Sequence, residues 1–295
     1  MSNYILSCCS TADMSHEFFS QRDIHYCCFH FFLDGKEYPD DLGETMPFKD
    51  FYNAMREGAM TKTSQINVDE FINYFTPFLE EGKDILHLSL SSGISGVINS
   101  ARIAAEDLRE KYPDRKIYVV DSLCASSGYG LIMDKLADLR DEGKSIDELR
   151  DFAEANKTRV HHWFFTGDLK YLVRGGRVTK ISGFFGTALK ICPLLNVDYK
   201  GALIPREKIR TWKKAMEACV NKLEEYGDDR INYSGKVYLS HADCEEDAKE
   251  VAKLIEAKFP NLSEPVSIFP IGTTIGSHTG PGLIAMFFWG DEKTN

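Results

Sequence analysis

The sequence has no apolar run approaching the roughly 20 residues that cross a bilayer. Its opening, Met1-Ser2-Asn3-Tyr4, has neither the basic segment nor the apolar core of a secretory signal. These absences predict a cytoplasmic protein with at most transient membrane contact. Positive charge is in deficit, with 35 Lys and Arg against 45 Asp and Glu, a formal net charge of −10. Phosphate-backbone binding needs the opposite sign, so nucleic acid is not an expected partner. No C-x-x-C pair occurs among the 8 cysteines, at positions 8, 9, 27, 28, 124, 192, 219 and 244. Cys27 and Cys28 lie near His25 and His30, but vicinal residues on a strand face opposite sides and the spacings of zinc modules are missing. No metal is expected, and the cysteines read as reduced core residues. A phosphate-binding G-x-x-x-x-G-K-[ST] loop is absent, and Gly128-Tyr129-Gly130 lacks the third glycine of a dinucleotide fingerprint. No cofactor is expected. There is no internal repeat and no low-complexity tract.

What is present is a normal globular composition, 43% hydrophobic and 27% charged. Apolar β-branched segments alternate with helical patterns through the first half. Strands are predicted over 4–9, 26–33, 84–90 and 116–120, and helices over 14–21, 47–56, 68–79, 97–108, 128–139 and 146–156. Asn67 with Glu70 partly matches a capping box, and Pro77 should kink or end its helix. Such alternation predicts an α/β fold with a mostly parallel, Rossmann-like sheet. After a boundary near residue 158 the pattern changes. Strands are predicted over 160–165, 191–197, 202–205, 236–240, 266–269 and 283–289, with a helical turn over 167–173 and helices over 181–189, 210–226 and 244–259. Two α/β domains are therefore expected, residues 1–158 and 159–295, the second with a mixed sheet.

Four stretches carry candidate chemistry. Leu86 to Gly96 runs an apolar strand into a turn of Ser89, Ser91, Ser92, Gly93 and Ser95, with a helix directly after it. A helix amino terminus with unpaired N–H groups and nearby hydroxyls favours an anion, although an ordinary capped strand-to-helix turn has the same look. Gly93-Ile94-Ser95-Gly96-Val97 places its last glycine one residue early for a nucleophile elbow. Lys62-Thr63-Ser64-Gln65 reads as a polar loop. Gly276-Ser277-His278-Thr279-Gly280-Pro281-Gly282 reads as a glycine-rich loop presenting N–H groups and a histidine, or as a plain polar loop before the last strand. Gly175-Gly176 reads as a helix carboxyl cap that aims Arg177, a residue suited to a carboxylate or phosphate or simply a surface arginine.

In order along the chain, Ser10-Thr11-Ala12-Asp13, Asp34 to Tyr38, Thr63-Ser64-Gln65, Ser91 to Gly96, Val120-Asp121-Ser122, Leu172 to Val178 and Gly276 to Gly282 resemble seven motifs of the DegV family, bacterial fatty-acid-binding proteins. Some members are the binding subunit of a fatty acid kinase. The resemblance implies two α/β domains with a long-chain fatty acid between them, its tail in an apolar tunnel and its carboxylate held by hydroxyls and a histidine. Carried over by motif, Thr63 and Ser95 contact the carboxylate, with Ser64, Ser92 and Gly93 close by. His278 stands at the carboxylate or at a phosphate added to it. Arg177, and Arg210 in Lys208-Ile209-Arg210, face the kinase or the phosphate. No residue is expected to be catalytic. The alternatives are a lipid esterase or thioesterase using Ser95 and His278, and a kinase-independent lipid carrier or sensor. Two departures stand out: Cys8-Cys9 replaces the family's usual Thr-Asp, and Ile66 replaces the proline after T-S-Q.

Overall fold

Hydrophobic alternation becomes two main sheets in the computed structural model, which describes residues 3–178 and 191–294. The first part of the chain gives, in order, β1 (Tyr4–Cys9), α1 (His16–Gln21), β2 (Ile24–Cys27), β3 (His30–Leu33), β4 (Lys36–Pro39), α2 (Phe48–Arg56), β5 (Thr61–Ser64), α3 (Val68–Glu80), β6 (Asp84–Ser89), α4 (Val97–Lys111), β7 (Ile117–Asp121), α5 (Ser127–Asp141) and α6 (Ile146–Asn156). Strands β2-β1-β6-β7 form a wholly parallel sheet. The six residues of β1 are all buried, as expected of a parallel strand covered on both faces. A small antiparallel sheet, β4-β3-β5, stands beside it.

Beyond a 3₁₀ turn at Lys157–Arg159 follow β8 (Val160–Thr166), α7 (Lys170–Gly175), β9 (Cys192–Val197), β10 (Leu203–Ile209), α8 (Trp212–Tyr226), β11 (Val237–His241), α9 (Glu245–Lys258), β12 (Ser267–Pro270), α10 (Thr273–Thr279) and β13 (Leu283–Trp289). These strands make a mixed sheet in the order β10-β9-β8-β13-β11-β12, antiparallel except between β11 and β12. Among the described residues no helix is long and apolar enough to cross a membrane. The helix predicted over 181–189 lies outside the described residues.

Four local expectations are corrected. The single strand predicted over 26–33 is two strands in different sheets. Pairing with β1 stops at Cys27, and the Phe29 N–H then turns to Ser10 Oγ at 3.1 Å, pulling the chain out of the sheet. Lys62 to Ser64 is not loop but edge strand β5, paired in register with β3. An edge position with one face toward water accepts its polar residues. Pro77 does not end α3. The helix continues to Glu80 because Phe71, Phe75 and Leu79 are buried along one face, and packing outweighs the lost backbone bond. Residues 276–279 belong to the end of α10, so His278 sits on a helix. The Asn67–Glu70 capping box at the start of α3 is complete, with Glu70 N–H donating to Asn67 at 3.0 Å and Asn67 N–H donating to Glu70 at 2.7 Å.

Candidate functional site

The site depends on where α10 is held, and that is decided by two aspartates far away in sequence. Asp13 ends a 3₁₀ turn at Ser10–Ala12 in the left-handed region (φ 52°), a conformation a short polar side chain tolerates. Its carboxylate accepts from Gly272 N–H at 3.0 Å and from Ser126 Oγ at 2.5 Å. Asp40 accepts from Thr273 N–H at 3.1 Å, from Thr273 Oγ1 at 2.7 Å and from Ser10 Oγ at 3.2 Å. Together they satisfy the first donors of α10, which local sequence does not cap. Burial raises the Asp13 carboxyl well above its usual range and raises Asp40 as well.

Held in this way, α10 packs against α7 and β5. His278, in its last turn, meets Thr63 of β5, with 2.8 Å between Nε2 and Oγ1. Its Nδ1 is buried with no hydrogen-bond partner among the described residues. A Cβ on Gly175 would stand 2.7 Å from that atom, so the first glycine of the Gly-Gly pair is what lets the imidazole approach α7. Gly176 is the predicted carboxyl cap, with φ 66°. Burial pushes His278 down to about 4, and Arg177 and Arg174 act in the same direction. The ring is neutral at pH 7.

From this corner an apolar cavity runs between the sheets. Leu90 and Ile94 line it from the serine turn, Phe164 and Phe287 from the mixed sheet, and Leu172 and Ile275 from α7 and α10. Thr63, Ser95, His278 and Arg177 supply polar groups on its wall. Thr63, Arg177 and His278 also border a second, polar cleft, lined further by Lys62 and Arg174. The apolar space therefore ends at hydroxyls and an imidazole, and beyond them at exposed cations.

The other predicted residues fall around this corner rather than on it. Ser64 ends β5 and, like Ser92 and Gly93, does not line the cavity. Ser92 is exposed, and its N–H donates to Asp121 at 3.1 Å. Gly93 packs on the hairpin at residues 198–201, where a Cβ would come within 2.6 Å of the Gly201 carbonyl. Ser91 Oγ donates to that carbonyl at 2.9 Å. Ser95 Oγ accepts from Val97 N–H at 3.2 Å, at the start of α4. No hydrogen bond joins Ser95 to His278 among the described residues, so the two are not paired as nucleophile and base. Arg210 is exposed just past β10. Leu203, at the other end of that strand, lines the cavity, roughly 20 Å away at the usual strand rise.

Two residues on the wall gave no sequence signal. His162 donates from Nδ1 to the Val160 carbonyl at 3.1 Å and accepts at Nε2 from Ala125 N–H at 3.2 Å. Those partners fix its neutral tautomer, and burial lowers its pKa well below the ordinary value. Ser126 links the wall to Asp13. The Gly128-Tyr129-Gly130 pattern now has a packing role: a Cβ at Gly128 would lie 2.0 Å from His162, and one at Gly130 2.3 Å from Met14.

The DegV family, described as uncharacterised proteins, matches residues 9–291. The chain belongs to the DegV family. It is 35% identical over 280 residues to a fatty acid-binding protein of Thermotoga maritima, with 93% of each chain covered. It superposes on a DegV lipid-binding protein of Thermotoga maritima with a TM-score of 0.86 at 31% identity, covering 100% of both chains. The same fold occurs in the fatty acid kinase B3 protein of Streptococcus pneumoniae, loaded with linoleic acid (TM-score 0.83, 22% identity, 99% of this chain and 100% of that one). The two Thermotoga maritima relatives are named for binding fatty acid or lipid.

Proposed function

We propose that this DegV protein binds a long-chain fatty acid, with its tail in the apolar cavity and its carboxylate at Thr63, Ser95 and His278. The observation that carries this is the pairing of an apolar cavity with a hydroxyl–imidazole corner that opens onto exposed cations. Each buried CH₂ contributes about 0.8 kcal/mol, so a long tail supplies on the order of 10 kcal/mol before the costs of association. A carboxylate leaving water must be hydrogen-bonded. The Ser95 hydroxyl donates to it, and Thr63 with His278 supplies one more donor: with the proton on Nε2 the ring donates to Thr63, whose hydroxyl donates to the carboxylate, and with the proton on Nδ1 the ring donates to the carboxylate itself while Nε2 accepts from Thr63. The start of α4 behind Ser95 adds a favourable dipole. Ser64, Ser92 and Gly93 shape the two segments that carry these contacts. Residues 1–158 and 159–295 act as two domains closing on the ligand.

The same carboxylate would be presented to a fatty acid kinase, the partner that forms the acyl phosphate. Arg177, with Arg174 and Lys62 beside it, gives the open cleft the charge that attracts a phosphoryl group. Arg210 would meet the partner farther along the same face. The chain itself would supply no nucleotide site and no catalytic group. A test is displacement of a fluorescent fatty acid from delipidated protein. An unlabelled C18 acid should compete at least tenfold better than its methyl ester, which keeps the tail and loses the charge. Equal competition by both would remove the carboxylate from the account.

A further inference from the structure

Outside the lipid cavity, three strands bring together side chains that no function has yet absorbed. Cys9 ends β1 and Cys27 ends β2, and the register pairs them directly. On the other side of β1, Ser7 pairs with His87 of β6. Ser7 and Cys9 share a face because side chains alternate along a strand. Cys9 Sγ, Cys27 Sγ and a His87 ring nitrogen consequently converge, all within 4.8 Å of one another, and all three residues are buried. Cys9 Sγ stands 3.7 Å from His87 Nε2. The other ring nitrogen, Nδ1, lies 2.9 Å from Ser7 Oγ, which in turn lies 3.1 Å from the Tyr74 hydroxyl. That chain fixes the imidazole with Nε2 toward the sulfurs, as the outer partners of metal-bound histidines do. Phe71 and Phe75 pack edge-on against the ring, with centroids 5.3 and 5.4 Å away.

We propose that Cys9, Cys27 and His87 form a metal site for a thiophilic d¹⁰ cation, Zn²⁺, which ties β1, β2 and β6 together beneath the cavity wall. The donor types are those zinc takes. With bonds near 2.3 Å to sulfur and 2.0–2.1 Å to nitrogen, donors around one zinc ion stand about 3.5–3.8 Å apart, and the Cys9–His87 separation already matches. Charge selects the ion. Two thiolates, a neutral imidazole and Zn²⁺ sum to zero, whereas Cu⁺ would leave a buried negative charge without a partner. Binding releases the thiol protons to solvent. Three protein donors leave the fourth tetrahedral position to a small ligand such as water. The site has a structural consequence: Cys27 stands two residues before the cavity residue Phe29, and His87, on β6, three residues before the cavity residue Leu90.

The set differs from the Cys27, Cys28, His25 and His30 neighbourhood that sequence proximity suggests. The experiment is metal analysis of the full chain purified without chelator, with refolding in Co²⁺ in place of Zn²⁺. Wild type and Cys28→Ser, a change beside the cluster but outside it, should each hold about one ion per chain and give a thiolate-to-cobalt charge-transfer band. Cys9→Ser and Cys27→Ser should lose the band and most of the metal. X-ray absorption of the wild-type cobalt form should read two sulfur neighbours and one imidazole, a result that does not depend on whether the variants fold. A metal-free wild type with no band after refolding in Co²⁺, an all-oxygen and nitrogen shell, or a Cys9–Cys27 disulfide in the intact mass would each overturn the site.

Discussion

Thr63 and His278 lie 215 residues apart and meet in a 2.8 Å hydrogen bond at the polar end of the cavity. One belongs to an edge strand and the other to a helix held by two buried aspartates, so this contact joins the two main parts of the chain where a carboxylate would be received. Ser95→Ala removes a donor from the carboxylate without touching that bond. It should weaken fatty acid binding about tenfold, the value of one hydrogen bond to a charged group. Calorimetry with delipidated protein measures it, and unchanged affinity would place the carboxylate elsewhere.

Gly175→Ala and Gly176→Ala separate binding from stability. The first puts a methyl 2.7 Å from His278 Nδ1 and displaces the ring, so fatty acid affinity should fall at least tenfold. The second has open space around it but carries φ 66°. It should cost about 1 kcal/mol of stability and leave affinity intact. Binding curves and thermal melts of the two proteins, run side by side, check the contrast.

Asp40→Ala should destabilise the fold by about 1–3 kcal/mol, because the Thr273 N–H is left buried without its acceptor. Urea denaturation reads this directly. Affinity should fall with it, since α10 positions His278. A variant as stable as wild type would show that another group caps the helix.

The histidine also sets a pH dependence. Its pKa falls from the ordinary 6.5 to about 4 in the folded chain, so the unfolded state takes up the proton first. The stability it contributes is complete above pH 6.5 and is lost as pH falls toward 4. His278→Gln removes that dependence. The melting temperature of wild type minus that of the variant should therefore shrink between pH 7 and pH 4.5, and a constant difference would contradict a buried neutral imidazole.

Local sequence made some of this plain and hid the rest for physical reasons. The capping box at Asn67 and the carboxyl cap at Gly176 are decided by neighbours in sequence, and both were legible there, as was the apolar strand β1. The alternation of strand and helix likewise announced the parallel sheet. Strand β5 was hidden because its polar residues owe their conformation to pairing with β3. Helix α10 was hidden because its first donors are met by Asp13 and Asp40, more than 200 residues away in sequence. Cys9, Cys27 and His87 come together only through the order of three strands. Motif resemblance pointed to Thr63, Ser95 and His278, which line the cavity, yet His162 and Ser126 reach the same wall without any motif.

Native mass spectrometry of the freshly purified protein tests the central claim most directly. One long-chain fatty acid per chain should be carried through purification or taken up on addition, and released on denaturation. A protein that is empty and stays empty with excess C18 fatty acid would contradict the account.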